Sequence, residues 1–380
     1  MRSRMRNTAL LVMAVLAEAW IGAPRPAAAA NTASAPPAWL REVAFNGFLS
    51  TSYSYNFNRP ASQTNQFRVF DFDDATFKLD ELEVVAQKPV SKLRDAGFRM
   101  DLTFGSSVPR VAASAGLFRD ASGNGEDLDL HQAFASFIAP IGSGLRIDVG
   151  KFITGHGYEV IDGYDGWNDN ATRSVLFGYA IPFTHVGLRA SYVVTPNVSG
   201  MLMVVNGWDV ARDNNRGKSV GAQLTLTPLA PLTVVMSGMI GPERTGNSSD
   251  SRELLDLVAI MKANRRLTLG ANADWARESD AIGPGMDASW RGFAGYLRCG
   301  ITERLALSLR GETFRDQDGV RTGVSQTLNE WTVTPELRFT PHLLVRGDVR
   351  VDLSDERVFE KSLDFVKTQP TVLVEALYSF

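Results

Sequence analysis

The chain has 380 residues, 39 basic and 42 acidic side chains for a net charge of −3, 44% hydrophobic residues and a single cysteine. That balance gives no electrostatic reason to expect nucleic acid, and Cys299 alone excludes an internal disulfide. A mean hydropathy near zero fits a soluble β protein, and fits equally a transmembrane barrel in which lipid-facing and lumen-facing residues alternate and cancel.

At the N-terminus Arg2, Arg4 and Arg6 precede the apolar run Ala9 to Ala17, and small residues follow up to Ala28, Ala29 and Ala30. A basic start, a short apolar run and a small-residue cleavage site predict a secretory signal peptide over 1–30. The run is too short to span as a helix, and Glu18 interrupts its end. A short Ala/Pro-rich leader, 31–44, should then give way to a single barrel over 45–380.

From there the chain alternates with a period of two, which marks strands with two different faces. Phe45, Gly47, Leu49, Thr51, Tyr53, Tyr55 and Phe57 oppose Asn46, Ser50, Ser52, Ser54 and Asn56. Leu267, Leu269, Ala271, Ala273 and Trp275 oppose Thr268, Asn272 and Asp274. Leu343, Val345, Gly347, Val349 and Val351 oppose Arg346, Asp348, Arg350 and Asp352. Similar segments predict about sixteen strands, an even number. The phase is unclear near 76–87, 130–138, 198–206 and 252–261, where a bulge or two apolar faces would fit. Pro335 removes a ladder donor in mid-strand and predicts a bulge or local defect.

The connections alternate between long and short. Long ones fall near 58–73, 106–128, 155–183, 207–216, 241–250, 277–289, 315–327 and 353–367, with short turns such as Thr195-Pro196-Asn197 and Thr340-Pro341 between them. Short turns at one end and long loops at the other are how an outer-membrane barrel is threaded. Trp331 and Phe339, eight residues apart on one apolar face, would lie about 26 Å apart along a strand, or about 20 Å in height after tilting. That matches the aromatic girdles of an apolar band about 25 Å tall. The last strand, Thr371 to Phe380, should close the barrel against the strand around Phe45 to Phe57.

Specific words in the chain strengthen this reading. Tyr55-Asn56-Phe57-Asn58-Arg59-Pro60, Asn65-Gln66-Phe67-Arg68-Val69-Phe70-Asp71, Gly150-Lys151-Phe152, Ala180-Ile181-Pro182-Phe183 and Asn206-Gly207-Trp208 together resemble the β-barrel porin family labelled OmpL-like. The resemblance implies an all-β, antiparallel up-and-down transmembrane barrel in the outer membrane of a Gram-negative bacterium, acting as a porin. It supplies no catalytic or substrate-binding residues.

The longest connection, 155–183, carries Glu159, Asp162, Asp165 and Asp169 beside Tyr158, Tyr164 and Trp167. By analogy with sixteen-strand porins this third loop should fold inward and narrow the pore. The inward phase places Arg310, Arg338, Arg346 and Arg350 on late strands and Arg99, Arg146 and Arg189 on earlier ones. An acidic loop facing a basic wall would set a field across the opening. Alternatively, these arginines pair with inward Asp101, Asp148, Glu312, Glu336 and Asp348 and fill a polar interior. His131, His156, His185 and His342 lack metal-ligand spacing, no catalytic motif is present, and no cofactor is expected. Function is therefore expected to be passive diffusion of small polar or ionic solutes through a water-filled barrel. The alternative is a non-conducting barrel that binds partners through its loops. Outer-membrane lipid and a homo-oligomeric contact are the remaining expected partners.

Overall fold

In the computed structural model, residues 41–120, 122 and 124–380 are described. The signal peptide over 1–30 and most of the leader over 31–44 lie outside the described residues. The chain divides into two units, Met1–Arg41 and Glu42–Phe380, and the strands described here all belong to the second.

Sixteen strands close into one barrel. They are β1 (Ala44–Asn56), β2 (Thr76–Lys88), β3 (Ala96–Phe104), β4 (Leu128–Ala139), β5 (Leu145–Ile153), β6 (Thr184–Thr195), β7 (Val198–Val205) and β8 (Ser219–Leu229), followed by β9 (Leu232–Pro242), β10 (Ser251–Lys262), β11 (Leu267–Gly283), β12 (Met286–Gly300), β13 (Leu305–Asp316), β14 (Gln326–Arg338), β15 (Leu343–Ser354) and β18 (Thr368–Ser379). A small hairpin, β16 (Phe359–Lys361) with β17 (Asp364–Val366), sits in the last long connection. Two helices also occupy connections, α1 (Val108–Ala115) and α2 (Val175–Ala180).

Each strand pairs antiparallel with its chain neighbour, and β18 pairs with both β15 and β1. The expected closure is in place: Ser379 sits opposite Phe48, and Gly47 and Phe380 exchange backbone hydrogen bonds of 2.8 and 3.0 Å. Closure leaves no unpaired edge, a condition for a strand structure in lipid. The alternation resolves as the residue types dictate. Trp331, Val333, Leu337 and Phe339 face outward and are exposed, whereas Glu330, Thr332, Thr334 and Glu336 face inward and are buried.

The ambiguous segments have concrete causes. In β2, Ser50 pairs with Glu81 and Thr51 with Leu79, so Asp80 is an extra residue in a bulge. In β4, Asp101 pairs with Gln132 and Leu102 with Leu130, so His131 is the bulged residue. Segments β7 and β10 instead carry two apolar faces, with Met203, Val205 and Leu254 buried inside and Leu202, Val204 and Leu255 exposed outside. At Pro335 the β14–β15 pairing lapses between Val333 and Glu336 and resumes in the same register, a local defect without a bulge.

One expected loop is corrected. Residues 277–289 are mostly strand, because β11 and β12 run on to Gly283 and Met286 and turn through Pro284-Gly285. Gly285 takes φ +74°, a value glycine adopts without a Cβ penalty.

Candidate functional site

The barrel interior is organised by the third long connection, 154–183, which runs inward from β5 and returns into β6. This inner loop makes polar contacts with strands on far sides of the barrel. Gly157 N–H donates to Asp256 of β10 at 3.0 Å, and Tyr158 N–H donates to Asn272 of β11 at 3.0 Å. Tyr164 N–H donates to Glu83 of β2 at 2.7 Å, and Asn170 donates to Thr334 of β14 at 2.6 Å. Its tip dips toward the turn end of the barrel, where Trp167 stacks on Phe48 at 6.5 Å and packs near Leu344 and Leu377. Helix α2 begins at Ser174, whose hydroxyl accepts from Phe177 N–H, and the carboxylate of Glu312 accepts from Val175 and Leu176 N–H at 2.6 and 2.8 Å. A carboxylate at a helix N-terminus satisfies donors that have no partner within the helix.

Along β13–β15 the loop is joined to the wall by buried ion pairs. Arg310 contacts Glu159 of the loop at 2.7 Å and Glu330 of β14 at 2.9 Å. Arg346 contacts Asp162 of the loop at 2.8 Å and Glu375 of β18 at 2.5 Å. Arg350 pairs with Asp352 at 2.7 Å and donates to Arg173 O at 2.5 Å. Asp348 accepts from the backbone of Ala171 and Thr172 and from the Thr172 hydroxyl. The side chains of Arg310, Arg346 and Arg350 are 0% exposed. Glu159 and Asp162 of the loop thus touch Arg310 and Arg346 directly instead of facing them across water, and Arg350 meets the loop through the Thr172 hydroxyl and the Arg173 carbonyl. Burying such charges is stable only when each is paired and hydrogen-bonded, and here each is.

The other candidates occupy different surroundings. Arg99 pairs with Asp101 at 2.8 Å and with Asp165 of the loop tip. Arg146 and Arg189 share Asp148, each at 2.9 Å, and the Arg146 side chain is 43% exposed. Arg338, at the turn end of β14, lies 3.7 Å from Glu336 and 5.9 Å from the Trp167 ring. Arg146 and Arg189 pair with a wall acid, as do Arg338 and Arg350, whereas Arg99, Arg310 and Arg346 each bridge a wall acid and a loop acid.

Toward the loop end the lumen is filled by apolar side chains, which composition did not reveal. Phe177, Ile181 and Phe183 of the inner loop pack with Phe70, Trp208 and Phe359 from other connections and with Phe152, Trp290 and Phe314 from the wall. The signal available in the sequence was the apolar run Val175-Leu176-Phe177 inside an otherwise polar loop. The loop returns to β6 under Asp209, which accepts from Phe183 and Thr184 N–H at 2.6 and 2.9 Å. Burial pushes the Asp209 carboxyl up to about 6, against the pull of those two donors. His156, also in the loop, is held down to about 3 by burial and by neighbouring His185, so it is neutral. Among the described residues no group of three or more His, Cys, Asp or Glu converges as a metal site would require.

Beside β2–β5 the loop leaves space. One cavity of about 30 Å³ lies against β18, β1 and β2, a second of about 10 Å³ against β2 to β4, and a third of about 110 Å³ against β2 to β5. Glu81 lines the first and second, and His131 lines the second and third. Neither position stood out in the sequence, because both belong to bulged segments where the alternation loses its phase.

The family described as "Putative beta-barrel porin-2, OmpL-like" matches residues 42–380. Among solved structures, the anion-selective porin from Comamonas acidovorans is similar at TM-score 0.59 and 10% identity, over 89% of this chain and 99% of that one. OprB of Pseudomonas putida is similar at TM-score 0.60 and 12% identity, over 90% and 95% of the two chains. The trimer form of OmpT from Vibrio cholerae is similar at TM-score 0.58 and 12% identity, over 89% and 99%. Identities this low carry the fold alone. No curated protein matches the chain by sequence.

Proposed function

The chain belongs to the OmpL-like β-barrel porin-2 family, and from that premise we propose that it is a narrow outer-membrane channel passing small polar or ionic solutes by passive diffusion, with the 154–183 loop as its constriction. Family and fold point to a channel rather than an enzyme. The observation that carries the reading is the course of the inner loop, hydrogen-bonded to β2, β10, β11 and β14 while water-sized cavities persist beside β2–β5. Arg99, Asp165, Arg146, Arg189 and Arg338, which keep partial exposure, are the proposed charges of the vestibule on the turn side. Arg310, Arg346, Arg350, Glu159 and Asp162 are the proposed anchors that hold the constriction. Cleavage of the 1–30 segment on export and association of copies through the outer wall belong to the same proposal, and the trimer form of one structural neighbour supports the second.

A second reading has its own support. The apolar packing at the loop end favours a closed barrel that serves the envelope structurally. Recording from the purified, folded protein in a planar lipid bilayer separates the two. The channel reading expects reproducible ohmic steps of small amplitude, and a folded protein that stays silent overturns it.

A further inference from the structure

The outer wall is not uniform around its circumference. Phe77, Phe98 and Phe137 of β2–β4 and Trp275, Phe293 and Trp331 of β11, β12 and β14 are exposed on it. Aromatic side chains of this kind anchor a barrel where hydrocarbon meets water. Strands β7–β10 contain no Phe, Tyr or Trp at all. Of the other barrel strands only β15 lacks one, and both of its neighbours carry one. The outward side chains of β7–β10 are aliphatic instead, among them Leu202, Leu224, Met236 and Leu255. An arc of wall without interfacial anchors is suited to a neighbour other than lipid headgroups.

The same arc is concave. A groove of about 640 Å³ crosses it, with Ala190, Gly200, Ala222 and Gly238 among its lining residues. Directly paired residues share a face of the sheet. Pairing sets Leu202 between Ala190 and Ala222, and Ala222 beside Gly238. Leu202, 64% exposed, thus stands up next to a hollow of small residues. A Cβ at Gly200 would meet nothing nearer than Gln223 O at 3.6 Å, an ordinary contact, so the fold itself does not demand glycine there. Lipid tails are as apolar as leucine, so association within a bilayer depends on packing, and small residues let two backbones approach.

The turn end of this arc is neutral, since Pro196-Asn197 between β6 and β7 and Ala230-Pro231 between β8 and β9 carry no charge. Two copies can meet there without stripping water from an ion. The area is sufficient. Four strands about 4.8 Å apart span about 19 Å, and an apolar band about 25 Å tall gives about 500 Å² per copy. A pair then buries about 1,000 Å², the size at which specific contacts begin.

We infer that a second copy of this chain packs on the outer face of β7–β10, its aliphatic side chains entering the groove of small residues. The inference rests on the association of copies proposed above and names its face. Strand β15 is the opposite flank, eight strands away in either direction.

The test counts subunits in liposomes by stepwise photobleaching, at graded protein-to-lipid ratios. The folded chain carries one dye on Glu303→Cys, at an exposed turn, in a Cys299→Ala background. Particles that bleach in several steps are expected for this parent. Gly200→Leu/Gly238→Leu, which fills the groove, should need a roughly tenfold or more higher protein density to associate. Val349→Phe, at a 61% exposed position of β15, should leave the count unchanged. If the double variant fails to fold, Leu202→Ala is counted instead, with a smaller shift in the same direction. Association unmoved by the groove variants, or weakened equally by Val349→Phe, overturns this face and leaves copies associating elsewhere. Single-step particles at every density give the groove to lipid tails and overturn the association as well.

Discussion

The inner loop meets the barrel wall in two different ways. Along β13–β15 the arginines Arg310, Arg346 and Arg350 are fully buried, each shared between a wall acid and either a loop acid or a loop carbonyl. Along β2–β5 the same loop leaves cavities, unpaired carboxylates and orphaned polar atoms. One side is an anchored seam and the other a loosely filled gap. The difference shows that charge in a lumen does not by itself define a pore wall. A charge acts on a passing ion only where its own counter-charge is missing and water can reach it.

Three measurements press on that contrast, beginning with the largest effect. Arg310→Ala should strip the compensating charge from Glu159 and Glu330 together, and loss of one partner of a buried pair costs about 3–5 kcal/mol. Denaturant unfolding of the barrel in lipid or detergent reads this directly. A loss below about 1 kcal/mol would mean the seam is no anchor. Next is the loop's return at Asp209. Its folded carboxyl lies near 6, above the unfolded value of about 3.9. The native state therefore binds the proton more tightly, and the contribution is fully present below about pH 4 and lost as pH rises through 6. Wild type should lose on the order of 2–3 kcal/mol relative to Asp209→Asn between those values. An identical pH slope in both proteins would remove the carboxyl from the account. The smallest effect belongs to Arg146→Ala. With a side chain 43% exposed, it should change stability by less than about 1 kcal/mol, while moving ion preference toward cations. A cost like that of Arg310 would erase the distinction between seam and gap.

Much of this was readable in the residues, and the reasons for the remainder are specific. Strand alternation and loop rhythm located the wall, the closing pair and the inward arginines, because a period of two survives wherever one face meets lipid. The partners of those arginines were hidden, since Glu159 and Arg310 lie 151 positions apart and a loop's path carries no period. Asp80 and His131 are single-residue bulges that invert the phase on either side, which concealed Glu81 and Glu83. The apolar filling of the lumen was concealed differently. Met203, Val205 and Leu254 sit at inward positions of β7 and β10, where two apolar faces leave no contrast to read. The extension of β11 and β12 was missed because Glu278, Asp280 and Pro284-Gly285 have the composition of a loop although their neighbours pair as a hairpin.

The unequal strands have a bearing on the surrounding bilayer. β11 has 17 residues and β7 has 8, or about 56 and 26 Å of extended chain. A cylinder so uneven around its rim meets a hydrocarbon layer about 30 Å thick with a mismatch on one flank, which is relieved by tilting the body or thinning the lipid. Around a lone barrel the flank at β7 is where the lipid is expected to thin most, and a thinner membrane should favour insertion.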